Sequence, residues 1–212
     1  MNNASFDGER SFPETGSREK LDRLLSDMIN FPERRSETSR IIERTFGQCK
    51  AVLVLDMSGF SRTTQQYGII SFLLMIHQMR LTCMPCVEQN GGVVVKTDAD
   101  NLFCLFDSVS DAIGASQEMI RRLNAVNVLL PVERRLYVAI GIGYGKILNI
   151  ANEDIFGDEV NLSCKLGEDI ASRGEILLTS EAKAELGEST IALCEETASI
   201  SGIDLTYYRV GE

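Results

Sequence analysis

The stretch Ala51-Val-Leu-Val-Leu-Asp-Met-Ser-Gly-Phe-Ser61 constrains the fold more than any other part of the chain. Its first five residues are small or branched and apolar, a short run that predicts a buried strand over 51–56. The run ends on Asp56, a carboxylate where a fully buried strand avoids charge. Ser58-Gly59 then break the pattern, and a helix is predicted from Phe60 onward. A strand that passes through a carboxylate and a glycine turn into a helix N-terminus suits a phosphate bound with a metal. The carboxylate can hold a hard cation, and the free amides of the first helical turn face an anion. A plain helix cap would look the same, so the signal needs a second carboxylate beside the first.

Such a carboxylate follows. Gly91-Gly92-Val-Val-Val-Lys96-Thr-Asp-Ala-Asp100-Asn-Leu-Phe-Cys-Leu-Phe106 reads as strand, tight turn, strand, with Thr97-Asp98-Ala99-Asp100 supplying the turn chemistry. A hairpin beside the first strand would bring Asp100 next to Asp56. Two carboxylates at adjacent strand ends are what a pair of divalent cations needs. A third stretch is Asp154-Ile-Phe-Gly-Asp-Glu-Val-Asn161-Leu-Ser-Cys-Lys165-Leu. Asn161 and Lys165 are four apart and share a face if this segment is helical.

In their order and spacing, these three stretches resemble those of the class III nucleotidyl cyclases, the adenylate and guanylate cyclase catalytic domains. The resemblance covers roughly Lys50 to Ser180. It implies a 3′-hydroxyl attacking the α-phosphorus of its own nucleoside triphosphate, ATP on this reading, with loss of pyrophosphate. It implies two divalent cations, Mg²⁺ or Mn²⁺, on Asp56, Asp100 and the Met57 backbone. The backbone of Ser58, Gly59 and Phe60 would cradle the triphosphate. Lys96 and Asp154 match the pair that reads the purine. The lysine suits an adenine ring nitrogen and the carboxylate suits the exocyclic amine, whereas guanine presents an acceptor there. Lys146 matches a basic phosphate contact, Asn161 the ribose-orienting asparagine, and Lys165 the position of the transition-state arginine.

Family sites lie between two protomers. Asp56, Asp100 and Lys146 would come from one chain, and Lys96, Asp154, Asn161 and Lys165 from the other, in a head-to-tail homodimer. Three positions depart from the family pattern. Lysine at 165 keeps the charge but lacks the planar fork of arginine. Ala99 stands where glycine is usual before the second metal carboxylate. Only eight residues separate Gly145 from Asp154, where an arm normally reaches over the partner. A degenerate domain that binds nucleotide or a partner without turnover is one alternative. A guanylate or pyrimidine cyclase is another, and an unrelated ferredoxin-like interaction domain a third. The Gly-Gly-Asp/Glu-Glu-Phe signature of diguanylate cyclases is absent from the sequence.

Composition narrows the partners. With 212 residues the chain is long enough for one domain with a sizeable core and an extension. A net charge of −10 argues against nucleic acid or an anionic membrane held by bulk electrostatics. The absence of a run of ~18 apolar residues predicts no transmembrane helix, and the polar start predicts no secretory signal. A cytoplasmic setting is expected. The six cysteines are scattered through apolar segments and are expected to be reduced. Cys83-Met-Pro-Cys86, with His77 the only histidine, gives a weak redox or metal reading beside the bland one of helix cysteines.

Along the chain, residues 1–16 read as a disordered lead, 17–47 as a helical extension and 48–212 as the catalytic domain. The extension holds one helix capped by Ser17 and ended by Phe31-Pro32, and a second over Ser36–Phe46. These helices are expected to pack on the domain with some dimer contact. The domain then predicts helices near Ser61–Tyr67 and Ile69–Gln89, and strands 93–97 and 101–106. A helix capped by Ser110 or Asp111 follows. Leu136–Gly143 and Gly145–Ile150 are predicted as separate strands. Helix Asn161–Ile170, strand Glu175–Thr179, helix Ser180–Leu186 and strand Leu205–Val210 complete the chain. Hairpins mixed with helices favour an α/β (α+β) fold, a ferredoxin-like mixed sheet core with flanking helices, over a doubly wound parallel sheet.

Overall fold

The computed structural model describes residues 16–58, 60–200 and 203–211. The expected lead lies outside these residues, apart from Gly16. Helix α1 (Arg18–Asn30) begins where the Ser17 hydroxyl accepts a hydrogen bond from the Lys20 amide, and α2 (Arg35–Phe46) follows one 3-10 turn later. Both carry an apolar stripe. Leu21, Ile42 and Phe46 close over Ile150, with Leu24, Met28 and Leu148 around them, so the extension packs on the domain's own sheet.

That sheet contains β1 (Gly47–Met57), β2 (Val93–Asp98), β3 (Asn101–Phe106), β4 (Val138–Ile150), β6 (Ile176–Thr179), β7 (Leu193–Ile200) and β8 (Ile203–Val210) in the order β2-β3-β1-β4-β6-β8-β7, and β5 (Asp154–Phe156) pairs with β4 off this path. The β4–β6 pair is parallel, and the others are antiparallel. β1 is central. Ala51, Leu53 and Leu55 pack on one face with residues of α3 (Phe60–Gln89) and α4 (Val109–Asn127), among them Met79, Ile113 and Met119. Val52 and Val54 face the other way, against Phe103, Ile147, Ile155 and Val160. Burial on both faces explains why this strand reads as continuous apolar sequence. The expected mixed α/β sheet with flanking helices is therefore present.

Several element boundaries differ from expectation. The break expected between the two helices after the first strand is not among these differences: Gly68, with a φ of 79° and ψ of 167°, interrupts the helical path within α3. α4 is capped by Ser108, whose hydroxyl accepts from the Asp111 amide, not by Ser110 or Asp111. The largest correction is β4, a single strand where a break at Gly143–Gly145 was expected. Its glycines are not turn residues. Gly141, Gly143 and Gly145 lie two apart, on the face covered by α5 (Asp158–Lys165). A Cβ at Gly141 would stand 2.1 Å from the Ser163 carbonyl, and one at Gly143 2.6 Å from Glu159 Oε2. Glycine here lets a helix lie against a strand.

α5 itself starts three residues earlier than predicted and passes into a π-turn over Leu166–Ile170 before α6 (Ser180–Leu186). β5 and the edge strand β7 were not expected. The Gly68–Gln89 portion of α3 is long and apolar enough, by length and composition alone, to cross a membrane, as core helices can also be. One side of it buries Phe72, Met75, Ile76, Met79, Cys83, Cys86 and Val87 in the core, while Ile70, Leu73, Leu74 and Leu81 are exposed.

Candidate active site

The β1–β3 ladder pairs Leu55 with Leu102, so β1 ends beside the β2–β3 turn that carries Asp100. Asp56 is half-buried there, and its carboxyl is pushed up to about 6. Burial is the main cause, followed by the charges of Asp100 and Glu168, and the Met57 amide opposes them. Burial likewise raises the Asp100 carboxyl, with Asp98 adding to it and a backbone hydrogen bond opposing it. Glu168, on the π-turn, is raised by burial and by neighbouring Asp169, Asp100 and Asp98, and the Asn101 amide donates to its Oε1 at 2.7 Å. A carboxylate pair that is hard to keep ionised in the bare protein fits a hard cation. Mg²⁺ characteristically takes one or two carboxylates and completes its shell with water and phosphate.

The turn between β2 and β3 is a two-residue loop, Ala99-Asp100, closed by the Asp98–Asn101 pair. Ala99 has φ 46°, the left-handed region that favours glycine, and is the only one of the two with positive φ. The Arg80 guanidinium of α3 donates to the Ala99 carbonyl at 2.7 Å and steadies this turn from below.

Lys96 and Asp154 meet in the fold. Lys96 Nζ lies 2.7 Å from Asp154 Oδ1 and over the Phe103 ring at 4.9 Å. The β4–β5 hairpin delivers Asp154, turning through Ala151 and Asn152 with φ 55° at both. Arg18, at the start of α1, takes the other carboxylate oxygen, with Nη2 to Oδ2 at 2.6 Å. Burial raises the Asp154 carboxyl, but the hydrogen bonds from Lys96, Arg18 and the Ile155 amide outweigh it, so the net shift is downward.

The remaining expected residues are more dispersed. Asn161 and Lys165 share one side of α5, Asn161 exposed and Lys165 half-buried, and Lys165 forms no ion pair among the described residues. Lys146 is exposed on β4 opposite Cys49, whereas Asp56 lies opposite Ala139. It lines a cleft of about 720 Å³ with Arg40 and Arg44 of α2. Within one chain, then, Lys146 does not join Asp56 and Asp100. Of the expected phosphate cradle, the Ser58 amide donates to the Tyr137 carbonyl at 2.9 Å and is already engaged. Met57 is buried, Phe60 opens α3, and Gly59 lies outside the described residues.

Three residues were missed. Arg18 and Glu168 carry no local pattern, and Arg80 sits on a helix read only for its apolar stripe. The Cys83/Cys86 pair is buried, and both thiols are pushed up by that burial, Cys83 far above the ordinary thiol range. A raised thiol makes a poor nucleophile or ligand, which removes the redox reading.

No family model matches the chain. A protein of Rhizobium meliloti (strain 1021) named "Putative adenylate cyclase 3" is 26% identical over 129 residues, covering 61% of this chain and 22% of that protein. The chain thus matches about a fifth of the length of this curated relative. The adenylate/guanylate cyclase/hydrolase from Silicibacter pomeroyi superposes with a TM-score of 0.64 at 24% identity, over 77% of this chain and 96% of that one. The guanylyl cyclase Cya2 gives a TM-score of 0.67 at 20% identity, over 77% and 92%. These structures share the fold: the chain has the fold of adenylate and guanylate cyclase catalytic domains and is similar in sequence to part of a protein named "Putative adenylate cyclase 3".

Proposed function

We propose that this domain converts ATP to 3′,5′-cyclic AMP and pyrophosphate, at sites shared between two copies of the chain arranged head to tail. The observation that carries the reading is the paired, half-buried Asp56 and Asp100 at adjacent strand ends, with Asp56 pushed up to about 6. Asp56, Asp100 and the Met57 carbonyl would hold two Mg²⁺ or Mn²⁺ ions, which supply neutralisation of phosphate charge and acidify the 3′-hydroxyl. Lys96 would donate to a ring nitrogen of adenine, and Asp154 would accept from the exocyclic amine. Asn161 would orient the ribose. Lys165 would place its ammonium where charge develops on the α-phosphate, an interaction worth most in the transition state. Lys146, remote from the carboxylates of its own chain, would reach phosphate only through the assembled dimer. The reduced state of the six free cysteines and a cytoplasmic supply of ATP belong to the same reading.

A second reading, a nucleotide-binding domain without turnover, draws on Lys165 in place of arginine and on an Asp154 that already holds two cations. Incubation of the purified chain with each of the four ribonucleoside triphosphates and Mg²⁺ or Mn²⁺, with chromatographic detection of cyclic product, separates the two. The expected result is cyclic AMP from ATP. A homodimer that makes no cyclic product from any triphosphate, with Mn²⁺ present, refutes the catalytic reading. Cyclic GMP or a cyclic pyrimidine nucleotide as the main product refutes the base assignment alone.

A further inference from the structure

We infer that Arg18 is a specificity-determining residue, a side chain from the N-terminal helix that competes with the base's exocyclic amine for Asp154. The inference rests on the reading of Lys96 and Asp154 as the base-recognition pair. Asp154 has two oxygens, and both are engaged. Oδ1 accepts from Lys96 Nζ at 2.7 Å and from the Ile155 amide at 3.0 Å, and Oδ2 accepts from Arg18 Nη2 at 2.6 Å. The aspartate side chain is only 19% exposed, so solvent leaves few further approaches to Oδ2. The Arg18 guanidinium also lies 5.8 Å from the centre of the Phe156 ring, two residues beyond Asp154 on β5. A second contact of this kind holds the charge over the hairpin.

The placement is built into the fold. Leu21, one turn after Arg18, is buried against Ile42, Phe46 and Ile150, and Ile150 pairs with Asp154 in the β4–β5 ladder. Docking of α1 and occupancy of Asp154 therefore share one structural unit. With Arg18 in place the pocket presents two cations around one carboxylate, a donor-rich edge with little accepting capacity left for an amine. Without Arg18, Oδ2 is available, and the pocket distinguishes bases by the amine they carry.

The test compares ATP with purine riboside triphosphate, which lacks the exocyclic amine. Both are used as 3′-deoxy analogues, which lack the attacking hydroxyl, so that equilibrium binding by calorimetry is read independently of turnover. Arg18→Met keeps an aliphatic stem over Phe156 and removes the charge, and thermal melts check that the fold is retained. It should raise the ATP preference about tenfold or more, the scale of one hydrogen bond to a charged acceptor. Asp154→Ala should abolish the preference in both backgrounds. An unchanged or reduced preference in Arg18→Met, with Asp154→Ala still abolishing it, overturns the role of Arg18 alone. A preference unaffected by Asp154→Ala overturns the recognition pair and this inference with it. Failure of wild type and variant to bind either nucleotide refutes both as well.

Discussion

Replacing Asp56 with asparagine should stabilise the metal-free protein at neutral pH, although it removes the residue proposed to hold the metal. The carboxyl titrates at about 6 in the fold and near 3.9 in an unfolded chain. The native state therefore binds more protons between these values, and stability falls as pH rises from about 4 to about 6. At about 1.4 kcal/mol per pKa unit the shift corresponds to at most about 3 kcal/mol, and solvent screening of a half-exposed group cuts this to roughly 1.5. The amide side chain would keep the shape and discard the charge, at a small cost in the hydrogen bond from the Met57 amide. For a domain of this size that gain corresponds to a Tm rise of about 3–6 °C. Thermal melts of both proteins in EDTA at pH 7.5, 5 and 4 provide the assay. The advantage of the variant should be full at pH 7.5, shrink through pH 5 and vanish near pH 4. Added Mn²⁺ should raise the wild-type Tm in proportion to occupancy and leave the variant almost unmoved. A variant that melts at or below wild type at pH 7.5 in EDTA would refute the claim that burial and the neighbouring carboxylates strain Asp56.

Four further outcomes are expected. Lys165→Ala should lower kcat by ~10²-fold with little change in KM, and Lys165→Arg should keep or raise the rate, both read from steady-state kinetics. Lys96→Glu with Asp154→Cys should cut ATP use more than ~10²-fold in the same assay, the loss that follows when a matched polar contact is removed. Ala99→Gly should stabilise the fold by roughly 0.5 kcal/mol in urea titration, because relief of the left-handed backbone outweighs the extra freedom of glycine in the unfolded chain. Gly143→Ala should destabilise by about 1–3 kcal/mol in the same titration, since its Cβ would displace Glu159 from the Tyr144 amide and the Thr179 hydroxyl.

How legible the fold was depended on whether the cause lay within a short window. β1, the β2–β3 hairpin and the helix after Ser17 are dictated by local patterns of apolar runs, turn residues and caps, and they appear within a few residues of their predicted limits. The glycines of β4 misled because the same residue type marks a turn or a close packing contact. Only the position of Ser163 and Glu159 of α5, 14 to 22 residues later in the chain, decides between the two. β7 escaped because its partner β8 supplies half of its reason to exist. LCEETASI is too polar to read as a buried strand, and it lies at the sheet edge.

The site divides along the same line. Asp56 and Asp100 could be picked out because they stand where an apolar strand and a hairpin turn end, and Lys96 and Asp154 through the family resemblance; the structure brings Lys96 to Asp154 within hydrogen-bond distance. Glu168 and Arg18 could not, since each enters through a contact more than sixty residues distant in sequence, with Asn101 and Asp154 respectively. Their effect is nonetheless first-order. Glu168 adds negative charge beside a carboxylate pair that is already hard to ionise, and Arg18 removes accepting capacity from the group expected to read the base. Such residues do not define a reaction. On the proposed function they would change how strongly it depends on metal and how well it tells one base from another. A motif can therefore point to a family while leaving selectivity to side chains that no motif contains.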